Sequence, residues 1–447
     1  MFCYLFNKYI LYLLHFLLLI LILYRFLTQR DCTFNQMEII TESIFHQLLV
    51  LMIFVWSIAV LLSKIGLPTI MGELVVGIVL GPALLGWVEP NEVIDTLAQM
   101  GIFFLMLHTG IDTRPRDFFP ALKRSWGVAL LGAIVPFTVS TSCALYFGLP
   151  WQTAIFIGLV LTATAVVVTI KTLRELKLQN TTMAQVIVAS SMIDSFVSLF
   201  LLSFVSATIS GENLQLLDLG FMFGKVILFF AISFAIGYYL YPKFTYPFRN
   251  RNGKGFTFIL AISLGAGLFA EFLGLHIILG AYIAGLFFEE QVADPILFKR
   301  VKDRIFAFSY SFLGPIFFIS LGFHLNTNVF EGANLSLIFA LTSLCFFGQI
   351  ISAGGMAKLI GLSWIEALTV GVGMCGRAEM AFILASLGLS TGVYSDEIFS
   401  VLLITAFLLN ILAILGLKCC SILLKRSGIS CQTTQSAVPE DEVEVDY

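Results

Sequence analysis

Apolar runs of about 20 residues, long enough to cross a bilayer as a helix, follow one another along nearly the whole chain. Short polar breaks part them, and between the breaks the pattern predicts about fourteen spans. They fall near 4–27, 42–63, 68–87, 95–111, 120–148, 151–172, 183–208, 219–241, 255–272, 274–289, 304–324, 334–358, 363–392 and 396–423. The fold class is therefore an all-α polytopic membrane protein.

The breaks carry the topology. DTRPRDFFPALKR (112–124), KTLRELK (171–177), YPKFTYPFRNRNGKG (241–255), FKRVKDR (298–304) and LKCCSILLKR (417–426) are basic. VEPNEVID, GLPWQ, SGENLQ, FHLNTNVFEG and STGVYSDE are acidic or neutral, and the two kinds alternate from residue 42 onward. Basic loops stay in the cytoplasm, which predicts a cytoplasmic C-terminus. The first run breaks the rule, because it would put Arg25 and Arg30 outside with only Lys8 inside. Residues 1–36 are thus an extra membrane helix, a signal-like segment or a misassigned start before Met37. The last stretch, 427–447, ends in PEDEVEVDY, an acidic, aromatic-poor run of the kind that stays disordered.

Composition agrees with the hydropathy pattern. The chain is 59% hydrophobic and 12% charged, with mean hydropathy +0.96; soluble domains carry about twice that charge. A net charge of −3 points to no nucleic-acid partner. The eight cysteines show no CxxC spacing, and most lie in apolar runs as small hydrophobes. Neither GxGxxG nor GxxxxGK[ST] occurs, so the sequence offers no nucleotide site, and no cofactor is expected.

Ionisable residues at membrane depth are functional candidates by default, since each costs about 2.5–3.5 kcal/mol to insert. Asp194 lies about eleven residues from either end of VIVASSMIDSFVSLFLLSF and its flanks, about 16 Å deep at 1.5 Å per residue. Ser191 and Ser190 precede it by three and four residues and share its helical face; Ser195 follows it. Their hydroxyls suit a hard monovalent cation. Arg377 and Glu379 lie in mid-span too, while Glu73, His108, Lys225, Glu271 and Glu366 lie nearer span ends.

Two spans read as interrupted. One contains Thr162-Ala163-Thr164, whose hydroxyls can bond freed backbone groups. The other carries Gly371, Gly373 and Gly376 just before Arg377. Interrupted helices in corresponding halves of a chain mark a transporter site at the bilayer midplane.

These segments carry a resemblance. LTATAVVVTIKTLRELKLQNTTMAQVIVASSMIDSFVSL, GLPTIMGELVVGIVLGPALLGWV, LGPIFFISLGFHLN and WIEALTVGVGMCGRAEMAFILASLGLSTGVYSDEIFSVLL occur in family order. They resemble the monovalent cation:proton antiporter-2 family, the Kef-type and NapA-like sodium/hydrogen exchangers. The resemblance implies an inverted-repeat fold of about 13 helices with two crossing broken helices. It implies dimerisation helices at about 42–111 and 255–324 and core helices at about 120–208 and 334–423, within an exchanger domain spanning 42–426. A homodimer with an elevator-like movement is expected from it.

The sequence departs from that family twice. A second acidic or polar residue commonly follows the aspartate; here Ser195 does. Electrogenic members carry a lysine where GQIISAGGMAKLIG places Gln349. One carboxylate without that lysine predicts electroneutral one-for-one exchange of Na⁺ or K⁺ for H⁺. The expected ligands are Asp194, Ser195, Ser191, Ser190, Thr162 and Thr164, supported by Gln349, Arg377, Glu379 and Glu73. The expected setting is a bacterial-type inner membrane, with no covalent catalysis. Two alternatives stay open: a degenerate sensor or scaffold, and a cation channel or leak pathway.

Overall fold

The computed structural model describes residues 44–65, 69–112, 115–165, 168–169, 172–173, 176–178, 181–209, 224–225, 228–229, 231–233, 254–273, 275–288, 295–326, 329 and 332–426. The expectations for 1–36, for most of the span at 219–241 and for the tail at 427–447 lie outside these residues. The chain divides into two compact units, Met1–Phe54 and Val55–Tyr447, with the boundary inside the first helix described.

All regular elements described are helical. In chain order they are α1 (Ile44–Ile65), α2 (Thr69–Leu80), α3 (Glu92–Asp112), α4 (Pro115–Tyr146), α5 (Trp151–Thr162), α6 (Thr182–Ile209), α7 (Lys254–Phe272) and α8 (Ile277–Leu286). Then come α9 (Pro295–Phe308), α10 (Gly314–Phe323), α11 (Gly332–Gln349), α12 (Gly355–Leu359), α13 (Trp364–Gly373), α14 (Glu379–Ser390) and α15 (Asp396–Arg426). π-helical turns at Ser309–Leu313 and Ile350–Gly354 make α9 continuous with α10 and α11 continuous with α12. Among the described residues, six helices are long and apolar enough to cross a membrane.

Several ends differ from the hydropathy pattern for local reasons. The apolar run at 68–87 gives a helix of only 12 residues, because Gly81-Pro82 follows Leu80 and proline cannot continue the ladder. FKRVKDR is not a loop but part of α9, with Lys299, Arg300, Asp303 and Arg304 exposed and Val301 and Ile305 buried one turn apart. Charged turns of this kind carry a helix beyond the apolar layer. At the end of α3, Asp112 accepts from Lys302 Nζ at 2.7 Å and lies 3.4 Å from His108 Nδ1, tying α3 to α9.

Small residues set the packing, as they must where lipid supplies no hydrophobic drive between helices. A Cβ at Gly77 would strike the Ile319 carbonyl, so α2 lies directly against α10. Gly110 of α3 and Gly285 of α8 face the Tyr282 and Leu107 carbonyls in the same way. The helices α2, α3, α8 and α10 pack in these pairs, while α4 packs against α5, α6 and α11. α15 lies along α11, α13 and α14. Phe318 and Phe382 meet edge to face, with ring centroids 6.2 Å apart, joining α10 to α14.

Candidate functional site

The two interruptions are real and are tied together. α5 stops at Thr162, Ala163 is extended (φ −66°, ψ 118°), and helical backbone returns at 168–169. α13 begins with a capping box in which Ser363 and Glu366 exchange side-chain and backbone bonds of 2.9 and 3.3 Å. That exchange occupies the Glu366 carboxylate at the helix start. α13 stops at Gly373, residues 375–378 are non-helical, and α14 starts at Glu379. Between the breaks, Ala165 N–H donates to Gly376 O at 2.9 Å. Thr169 Oγ1 donates to Gly373 O at 3.0 Å and to its own Ala165 O at 2.7 Å.

Asp194 faces this crossing from the middle of α6 and is completely buried. Its Oδ2 accepts from Thr164 Oγ1 at 3.3 Å, and its Oδ1 has no hydrogen-bond partner among the described residues. Ser190 and Ser191, one turn earlier, are buried, as is Ser198 one turn later. Thr162 is spent differently: its hydroxyl donates to Gly158 O at 2.8 Å within its own helix. It retains acceptor capacity but does not touch the carboxylate. Ser195 continues the α6 backbone, and its side chain lies outside the described set.

Arg377 supplies the opposite charge. Its guanidinium is buried and donates from Nη1 to Met374 O (2.9 Å) and Gly376 O (3.3 Å), and from Nη2 to Gln349 Oε1 (3.0 Å). A cation there offsets the negative end of the α13 dipole. Arg377 and Asp194 act on each other through space without a direct ion pair. Gln349, one of the two departures from the family pattern, thus serves as a neutral acceptor for the guanidinium.

Glu379 of α14 and Glu73 of α2 are both buried. Glu379 sits in the first turn of α14, where the helix dipole favours a carboxylate. Sequence reasoning missed Asn410 and Thr169. Asn410 Oδ1 accepts from Arg377 N–H at 2.9 Å, and its Nδ2 donates to Arg377 O. The signal for Asn410 was present: it is an amide in the middle of VLLITAFLLNILAILGL.

The chain has counterparts among known proteins. Residues 48–419 match the model of the sodium/hydrogen exchanger transmembrane family. The chain belongs to that family. It is a family of monovalent cation:proton antiporters, and this member is a multi-pass membrane protein. It is 30% identical over 344 residues to the probable Na⁺/H⁺ antiporter GerT of Bacillus cereus, covering 76% of this chain and 89% of that protein. The Na⁺/H⁺-K⁺ antiporter GerN of the same species is 29% identical over 348 residues, with coverage of 77% and 88%. The solved sodium/proton antiporter MjNhaP1 of Methanocaldococcus jannaschii superposes with a TM-score of 0.59 at 17% identity, over 85% of this chain and 95% of that one. That likeness shows a common antiporter fold.

Proposed function

We propose that this exchanger carries one monovalent cation, Na⁺ or K⁺, against one proton, with Asp194 as the site both compete for. The observation that carries this reading is the state of the Asp194 carboxylate. It is fully buried beside the tied breaks, bonded by Thr164 on one oxygen only, and opposed by a guanidinium that does not pair with it. Oxygen ligands for the cation come from Asp194, Thr164, Ser190, Ser191, Ser195 and carbonyls of the non-helical stretches. Thr162 is occupied within its own helix and is not among them.

Charge bookkeeping supports electroneutral exchange. Gln349 adds no titratable group, and an arginine side chain stays protonated. Loaded with either a proton or a cation, the site then bears the same net charge. The names of the relatives include both sodium and potassium antiporters, so either ion fits.

The moving part in this reading is the group α4–α6 and α11–α15, which carries both breaks. The group α2, α3 and α7–α10 is the scaffold through which two copies associate. The glycine-tight pairs α2–α10 and α3–α8 support a rigid scaffold. The protein works in a cytoplasmic membrane with its C-terminus inside, and it performs no covalent catalysis.

The test is flux in proteoliposomes holding the full chain, with Na⁺, K⁺ or Li⁺ gradients and an internal pH dye. Cation-driven proton movement is expected. Downhill cation flux without proton movement indicates a channel, and no flux with any ion indicates a sensor or scaffold; either outcome overturns the reading.

A further inference from the structure

We propose that Asn410 is a positioning residue that holds Arg377 off Asp194 and so keeps the carboxylate open to the transported ion. The inference rests on the reading of Asp194 as the ion site.

Arg377 lies in the stretch between α13 and α14, where backbone groups have no partner in a helix ladder. Lipid cannot satisfy such groups, so neighbouring protein must wherever water is excluded. Asn410, fully buried on α15, does so from both sides of the residue: its Oδ1 takes the Arg377 N–H at 2.9 Å, and its Nδ2 binds the Arg377 carbonyl. One amide therefore fixes the backbone from which the guanidinium extends. The tip is fixed separately, by Met374 O, Gly376 O and Gln349 Oε1.

Each of these acceptors is neutral. The buried carboxylate in the field of Arg377, Asp194, is left without a direct ion pair to it. Opposite charges in a low-dielectric interior attract strongly, so an untethered arginine would close on Asp194. An arginine paired there would compete with Na⁺ or K⁺ for the same oxygens. The space next to the amide is already close: a Cβ at Gly376 would meet Asn410 Oδ1 at 3.2 Å. The clamp thus needs both a small residue at 376 and an amide at 410.

The test compares full-length wild type, Asn410→Ala and Asn410→Asp in proteoliposomes, reading the half-saturating cation concentration and the maximal exchange rate separately. Asn410→Ala is expected to raise the half-saturating concentration at least fivefold while leaving the maximal rate within threefold. Asn410→Asp, isosteric and able when protonated to repeat both bonds, is expected to stay within twofold of wild type. A residue that merely stabilises the fold would lower the maximal rate or the yield and leave half-saturation unchanged; that result overturns the proposal. If Asn410→Ala does not assemble, Gln349→Ala frees only the guanidinium tip and carries the same expectation, and unchanged half-saturation there overturns it equally. Exchange surviving in Asp194→Asn would instead sink the reading of the ion site, so the two failures are distinguishable.

Discussion

The Ala165 amide and the Gly376 carbonyl, 211 positions apart in sequence, form one hydrogen bond of 2.9 Å that joins the two helix breaks. Each break alone would leave polar backbone groups stranded in an apolar layer. Joined, they satisfy one another, and the Thr164 hydroxyl beside them donates to Asp194. The site proposed for a small cation lies where the backbone needs partners.

Thr164 and Thr162 separate by function. Thr164→Val removes the one hydrogen bond that the Asp194 carboxylate accepts among the described residues, at 3.3 Å. A bond to a charged group contributes about 1.5–3 kcal/mol, and the length of this one favours the low end, about tenfold in affinity. Thr162→Val loses only a bond to Gly158 O within its own helix. Cation titrations of exchange are expected to show a rise of about tenfold in half-saturation for the first variant and less than threefold for the second.

The glycine contacts divide in the same way. Gly77→Ala and Gly110→Ala push a methyl group onto the Ile319 and Tyr282 carbonyls, backbone atoms that cannot step aside. Overpacking of this kind costs about 1–3 kcal/mol. At Gly265 on α7, a methyl group would meet nothing within 4 Å among the described residues, and Gly265→Ala gains helix propensity of up to about 1 kcal/mol. Thermal unfolding in detergent should therefore fall for the first two variants and hold or rise for the third.

Voltage tests the charge count. A potential of 100 mV acts on each net charge moved with about 2.3 kcal/mol, enough to alter an electrogenic rate many-fold. With Asp194 as the sole titrating group of the exchange and Gln349 neutral, imposing that potential across proteoliposomes should change the exchange rate less than twofold. A steep dependence would show that a second charge travels with the ion.

Much of this molecule was legible in its sequence because the bilayer allows few solutions. Apolar runs had to be helices, and an aspartate in the middle of one needed a reason. Thr162-Ala163-Thr164 and the glycines at 371, 373 and 376 fell on the observed breaks because both weaken a helix where no water can repair it. Less legible was which polar group serves which. Thr162 and Thr164 are equivalent by spacing, yet the first bonds its own helix and the second reaches Asp194. Asn410 is separated from Arg377 by a whole helix and loop, so the bonds between them follow from folding back of α15, which no local pattern encodes.

The most direct measurement is exchange by Asp194→Asn in proteoliposomes, with insertion verified by protein yield and monodispersity. The amide nearly matches the carboxylate in shape and can still meet Thr164, but it can neither release a proton nor carry the charge that holds a cation. No cation-driven proton movement is expected at any pH or with Na⁺, K⁺ or Li⁺. Exchange persisting at a substantial fraction of the wild-type rate would contradict it, and the coupling carboxylate would have to be sought elsewhere.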